Sequence, residues 1–154
     1  MAFNIVLVSP EIPQNTGNIA RTCAATGTKL HLIKPLGFSL ADRYLKRAGL
    51  DYWDKLELKI YEDIDQFEKQ NAGERLFLLS TKGDKAYTEV EFKDGDFLVF
   101  GRETAGLPDE FLERRGESVL RIPMRGGLRS LNLSNSCAIV LYEALRQTGF
   151  ASLI

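Results

Sequence analysis

Apolar and polar positions along the chain follow two alternating rhythms. Short runs such as FNIVLV (3–8), KLHLI (29–33), LELKIY (56–61), LFLLST (76–81), FLVFG (97–101) and VLRIP (119–123) have the length and apolar content of buried strands. Between them lie stretches of helical period: one from about Asn18, one near Leu40 to Ala48, one from about Ile64, a short one after Pro108 and a long closing one from about Asn132. The segment from Lys82 to Asp96 reads as a hairpin or loop. This alternation predicts an α/β fold, a mostly parallel sheet flanked by helices, and the length of 154 residues suits one domain over 1–154. Ligands of such sheets bind beyond the carboxyl ends of the strands. Three loops stand there: SPEIPQNTGN (9–18), GRETAGLP (101–108) and PMRGGLRSLN (123–132).

In the first loop, Asn15 or Thr16 can cap the following helix and Gly27 can supply its left-handed end. Ile19, Ala20, Cys23 and Ala24 share the core-facing side of that helix, which turns Asn18 and Arg21 outward. Arg21 is then either an ordinary solvated arginine or a functional cation near the helix start. The second loop sets Glu103 between Gly101 and Gly106, where glycine allows a ligand to approach the backbone closely, although a plain turn into a helix would look the same. Neither a phosphate-binding P-loop nor a GxGxxG fingerprint is present. In the third, a strand ends at Pro123, two arginines follow among glycines, and Ser130, Asn132, Ser134 and Asn135 cluster around a helix start, where some must cap it. On that helix Leu133, Cys137, Val140, Leu141, Ala144 and Leu145, with Ala138 and Tyr142, cover about half the circumference. One packed face needs only roughly 100°. Such a helix buries two sides, either in a homodimer or sandwiched within one core.

Composition changes this picture little, whereas charge distribution changes it more. Twenty Lys and Arg against 21 Asp and Glu give a net charge of −1, without the basic surplus usual in nucleic-acid binders. Yet Arg21, Lys29, Lys34, Arg43, Lys46 and Arg47 face one acid, Asp42, and Arg114, Arg115, Arg121, Arg125 and Arg129 face only Glu117. The acids gather between Asp51 and Glu74, which reads as a solvated surface on the far side of the molecule. That sidedness suits an RNA-binding face as well as it suits scattered surface charge. One histidine and two distant cysteines offer no metal site, and no signal peptide or membrane span is evident, so the cytoplasm is the expected compartment and the cysteines are expected reduced and packed.

Taken together, PxNxGNIxR (Pro13 to Arg21), FGxExxGLP (Phe100 to Pro108) and IPM followed by RSLNLSNxxAIxxYEA (Ile122 to Ala144) resemble the SPOUT superfamily of RNA methyltransferases, in its ribose 2'-O-methyltransferase branch. The resemblance covers nearly the whole chain and is nearest to the minimal members that act on the wobble nucleotide of tRNA, cytidine or modified uridine. It implies a C-terminal trefoil knot, which pattern alone would not suggest because knots are almost absent among folds. It also implies S-adenosylmethionine as methyl donor without a metal, the tRNA anticodon loop as partner, and a homodimer whose sites draw on both chains. By motif position the cofactor would lie among Leu79, Ser80, Thr81, Gly101, Ile122, Met124, Ser130 and Leu131. Arg21 would be the central catalytic residue, supported by Asn15, Glu103, Ser130 and Asn132. The stretch from Met124 to Arg129 is more basic and glycine-rich than in a typical member.

Because a guanidinium stays protonated to pH of about 12, Arg21 suits an electrostatic stabiliser of the developing alkoxide and a phosphate anchor better than a base. Methylation of another tRNA or ribosomal RNA nucleotide, cofactor binding without catalysis, and RNA binding without chemistry are the readings that stand beside this one.

Overall fold

The computed structural model describes residues 2–154, with the side chains at 48–52 set aside. Seven strands form one sheet, all pairs parallel: β1 (Asn4–Val8), β2 (Lys29–Ile33), β3 (Leu58–Tyr61), β4 (Leu76–Leu79), β5 (Lys85–Ala86), β6 (Phe97–Phe100) and β7 (Val119–Arg121), in the spatial order β3-β2-β1-β6-β4-β7-β5. The central strands β1 and β6 are buried at every position, which is why they read as unbroken apolar runs rather than alternating ones. The edges are blunted. β3 exposes Lys59 and Ile60, and β5 is only two residues long.

Alternation along the strands sorts the core onto two faces. Ile5, Leu7, Leu30, Leu32, Leu98 and Phe100 pack under α1 (Pro13–Thr26) and α5 (Leu133–Gln147). Val6, Val8, Ile33, Phe97 and Val99 pack with Phe67 of α3 (Ile64–Gln70) and with Phe111 and Leu112 of α4 (Asp109–Arg114). A further helix, α2 (Arg43–Gly49), lies against α1. The chain lays down β1, β2 and β3 in one direction, then crosses to β4 and inserts β6 between β4 and β1. The strand order therefore reverses at β1 and β6, the place where open sheets leave a crevice.

Three expectations are corrected. α1 opens at Pro13, five residues before Asn18. Its N-cap is Ile12 with no side-chain cap, while Asn15 and Thr16 are buried within its first turn. The segment from Lys82 to Asp96 is no hairpin, because it contributes β5, which pairs parallel to β7, and a short 3-10 turn over Tyr87–Glu89. The strand expected to end at Pro123 stops at Arg121. Two local signals were accurate: Gly27 closes α1 with φ 71°, and Asn132 caps α5 by accepting the Asn135 N–H at 3.2 Å.

Candidate active site at the carboxyl end of the sheet

Parallel pairing brings the exits of β1, β4, β6 and β7 to one end. Register does the rest: Leu7 lies beside Phe100, Phe100 beside Leu79, and Leu79 beside Leu120. Above them opens a cavity of about 660 Å³, a volume within the range of small-molecule sites. After β4 its wall is Leu79, Ser80 and Thr81, after β6 it is Gly101 and Glu103, and after β7 it is Ile122 and Met124. Ser130, Leu131 and Asn132 close it ahead of α5, and Asn15 enters from α1. The structure thus gathers every residue expected around the cofactor, and every catalytic candidate except Arg21. Arg21 is exposed on α1, on the outward side with Asn18, and does not line this cavity.

Carboxylates join the loops. Glu103 accepts the backbone N–H groups of Glu11 and Ile12 at 2.8 and 2.9 Å, and the Asn15 side-chain amide at 3.1 Å. Its charge therefore sits at the positive end of α1, which has no cap of its own. Asn15 passes the connection on by accepting the Asn132 amide at 3.2 Å, and Asn132 in turn accepts the Asn135 N–H and the Ser134 hydroxyl. Glu103, Asn15 and Asn132 form one relay from the β6 exit to the start of α5.

In the opposite direction, Glu11 accepts the N–H and hydroxyl of Thr104 at 3.0 and 2.8 Å, and those donors hold its carboxyl below the usual carboxylate range. Sequence reading missed Glu11 and Thr104. An acid just ahead of a helix is the signal that could have found the former.

Gly101, besides lining the cavity, has a structural role. A Cβ there would lie 2.1 Å from the Gly106 carbonyl carbon, so the close approach is to its own loop. That loop folds back through the Gly106 N–H to Arg102 carbonyl bond of 2.9 Å, with Gly106 at φ 68°.

On its other side the same loop borders a second cavity of about 600 Å³, lined by Ser9, Lys34, Asp63, Asp65, Lys82 and Arg102 among others. Asp63 and Asp65 therefore stand at the cavity end of the sheet, which corrects the placing of all acids between Asp51 and Glu74 on the far side. The C-terminal basic stretch also divides: Arg114 and Arg115 both pair with Glu68, at 3.0 and 2.7 Å, whereas Arg129 lines the larger cavity and Arg125 is exposed.

Chemistry by thiols is disfavoured. Cys23 and Cys137 are buried and free, and burial pushes both thiols up from their ordinary range, so neither supplies a thiolate. Among the described residues no His, Cys, Asp and Glu side chains cluster to hold a metal, and no helix is long and apolar enough to cross a membrane.

Known proteins resemble this chain over its length. The model of the SpoU rRNA Methylase family matches residues 2–142. A tRNA (cytidine(34)-2'-O)-methyltransferase of Saccharophagus degradans is 57% identical over 150 residues, covering 97% of this chain and 97% of that protein. A solved structure concerned with the 2-OH methylation of C/U34 on tRNA superposes with a TM-score of 0.92 at 47% identity, over 96% of this chain and 97% of the other. The SpoU methyltransferase AviRb of Streptomyces viridochromogenes, in complex with the cofactor AdoMet, superposes with a TM-score of 0.86 at 25% identity, over 99% of this chain and 59% of that one. Motif order, parallel sheet and these matches agree, and the chain belongs to the SpoU rRNA Methylase family.

Proposed function

We propose that this chain transfers a methyl group from S-adenosylmethionine to the ribose 2'-hydroxyl of the wobble nucleotide of tRNA, cytidine or modified uridine. The observation that carries this reading is the gathering of the motif residues of three distant loops around one cavity. The likeness to relatives named for position 34 supports the choice of nucleotide.

The cavity fits the methyl donor. Leu79, Ile122, Met124 and Leu131 offer apolar walls for a flat heterocycle, and Ser80, Thr81 and Ser130 offer hydroxyls for its polar rim. When bound, the donor's sulfonium supplies an electrophilic methyl group. Ser130 and Asn132, at the rim ahead of α5, are placed to orient the incoming ribose, and Asn15 and Glu103 hold that rim to α1. Arg21, as a permanent cation, stabilises the developing alkoxide and holds the adjacent phosphate, which with solvent can take the proton.

Arg21 lies outside the cavity of its own chain, which suits a homodimer in which a second copy completes the site. The exposed side of α5 suits it too: Leu133, Cys137, Val140, Leu141, Ala144 and Leu145 are buried within the chain, while Ile139 is 37% and Tyr142 46% exposed. The placing of β7 between β4 and β5, followed by the return of α5 onto α1 and β6, supports a trefoil knot in the C-terminal segment. In this reading residues 1–154 form one catalytic domain working in the cytoplasm.

The test is methyl transfer to total tRNA followed by mapping of the modified nucleotide. Wild-type protein should mark the wobble ribose alone. Arg21→Ala should reduce transfer by at least a hundredfold while calorimetric binding of S-adenosylmethionine stays within about threefold, and near-normal turnover in that variant would remove Arg21 from the chemistry.

A further inference from the structure

We infer that Tyr44 is a stacking platform for an unpaired nucleobase of the RNA substrate, with Arg43, Lys46 and Arg47 holding the phosphates on either side of that base. Three observations lead there. Tyr44 is 40% exposed on α2 although the next residue, Leu45, is fully buried and fixes the helix to the body of the protein. A core anchor beside an exposed aromatic ring is the arrangement of a presented surface rather than of a frayed one.

The ring is also held. The Arg43 guanidinium lies 4.9 Å from its centroid and donates a hydrogen bond to its hydroxyl at 3.0 Å. One side of the ring thus meets a cation while exposed ring surface remains for a base to stack on. Finally, the charged residues of α2 itself are all cations. Arg43, Lys46 and Arg47 are exposed, and Asp42, the acid just ahead of them, accepts the N–H groups of Tyr44 and Leu45 at 2.8 and 3.3 Å, which commits its carboxylate to the start of α2. Among the described side chains the other exposed tyrosine, Tyr142, stands instead beside Phe150 at the end of α5.

An aromatic face with cations around it is the chemistry of single-stranded nucleic acid. A base stacks without regard to sequence, and the backbone is held by charge. Paired RNA does not fit, because its bases are already stacked on one another. Since α2 packs on α1, the platform adjoins the helix that carries Arg21. The inference rests on the proposed activity toward tRNA for the identity of the RNA, but not for the platform itself.

The experiment measures binding of a labelled anticodon stem-loop and of a duplex of equal length to the full chain, at several salt concentrations, beside calorimetry with S-adenosylmethionine. Tyr44→Ala should weaken stem-loop binding about tenfold and duplex binding by less than about twofold, leaving the salt slope and methyl-donor affinity unchanged. Tyr44→Phe, which keeps the ring, should bind within about threefold of wild type. Lys46→Gln with Arg47→Gln should instead flatten the salt slope by roughly 0.7 for each phosphate that is no longer neutralised. Wild-type stem-loop affinity in Tyr44→Ala, or equal loss toward stem-loop and duplex, overturns the platform. If Tyr44→Ala behaves as expected but methylation maps away from the wobble ribose, the platform stands and the proposed substrate falls.

Discussion

Glu103 is committed to three donors, the N–H groups of Glu11 and Ile12 and the Asn15 amide. A carboxylate so occupied is poorly placed to carry a proton to or from a ribose, and its contribution is to hold α1 against the cavity. Glu103→Gln separates these roles, since an amide keeps the volume and loses one acceptor. One N–H then faces an NH2 group, and the denaturation free energy should fall by about 1–3 kcal/mol. Methyl transfer should fall with it, and unchanged stability in that variant would show that the three bonds do not secure the helix. The sequence placed Glu103 between its glycines correctly. It could not show that the residue's partners lie some ninety positions earlier, because no local pattern encodes which loops parallel pairing will bring together.

Helix starts show the same contrast between near and distant causes. α5 is capped by Asn132, its own neighbour, and a cluster of Ser and Asn before an apolar helix was enough to read it. α1 is secured from Glu103 across the sheet, and a search for a local cap therefore settled on Asn15 and Thr16, inside the helix. β5 failed for a related reason: two residues carry no periodicity, and their strand character comes from pairing with β7. The strands β1, β2, β4 and β6 were legible because burial on both faces leaves continuous apolar runs.

Asn132 has two functions at its helix start, and two substitutions part them. Asn132→Asp keeps the oxygen that caps α5 but loses the amide given to Asn15. Asn132→Ala loses both. The alanine variant should lose about 1 kcal/mol of stability, the aspartate variant less, and both should transfer methyl groups poorly. If the aspartate variant is fully active, the Asn132–Asn15 bond has no part in the site.

Across the whole molecule, acid sensitivity should originate at His31 in the middle of β2, which lines neither cavity. His31 is buried between the Tyr61 hydroxyl at 2.8 Å and the Asn4 amide oxygen at 2.9 Å, and Asn71 extends the chain by donating to Tyr61. Burial, aided by Lys59 and Lys29, pushes its pKa down to about 4, from an ordinary value near 6.5. The unfolded chain therefore binds a proton first as pH falls. The stability tied to neutral His31 is complete above about pH 6.5 and declines down to about pH 4, by about 3 kcal/mol in all. Denaturant midpoints from pH 7.5 to 4 should show this slope, and His31→Gln should flatten it. An equal slope in that variant would move the sensitivity elsewhere.

The loop from Gly101 to Leu107 separates two chambers, of about 660 and 600 Å³, and both touch Lys82, Arg102 and Gly106. Gly101 leaves no room even for a methyl group against Gly106 and Leu107, so any side chain at this position would have to push the two ends of the loop apart and into the chambers they divide.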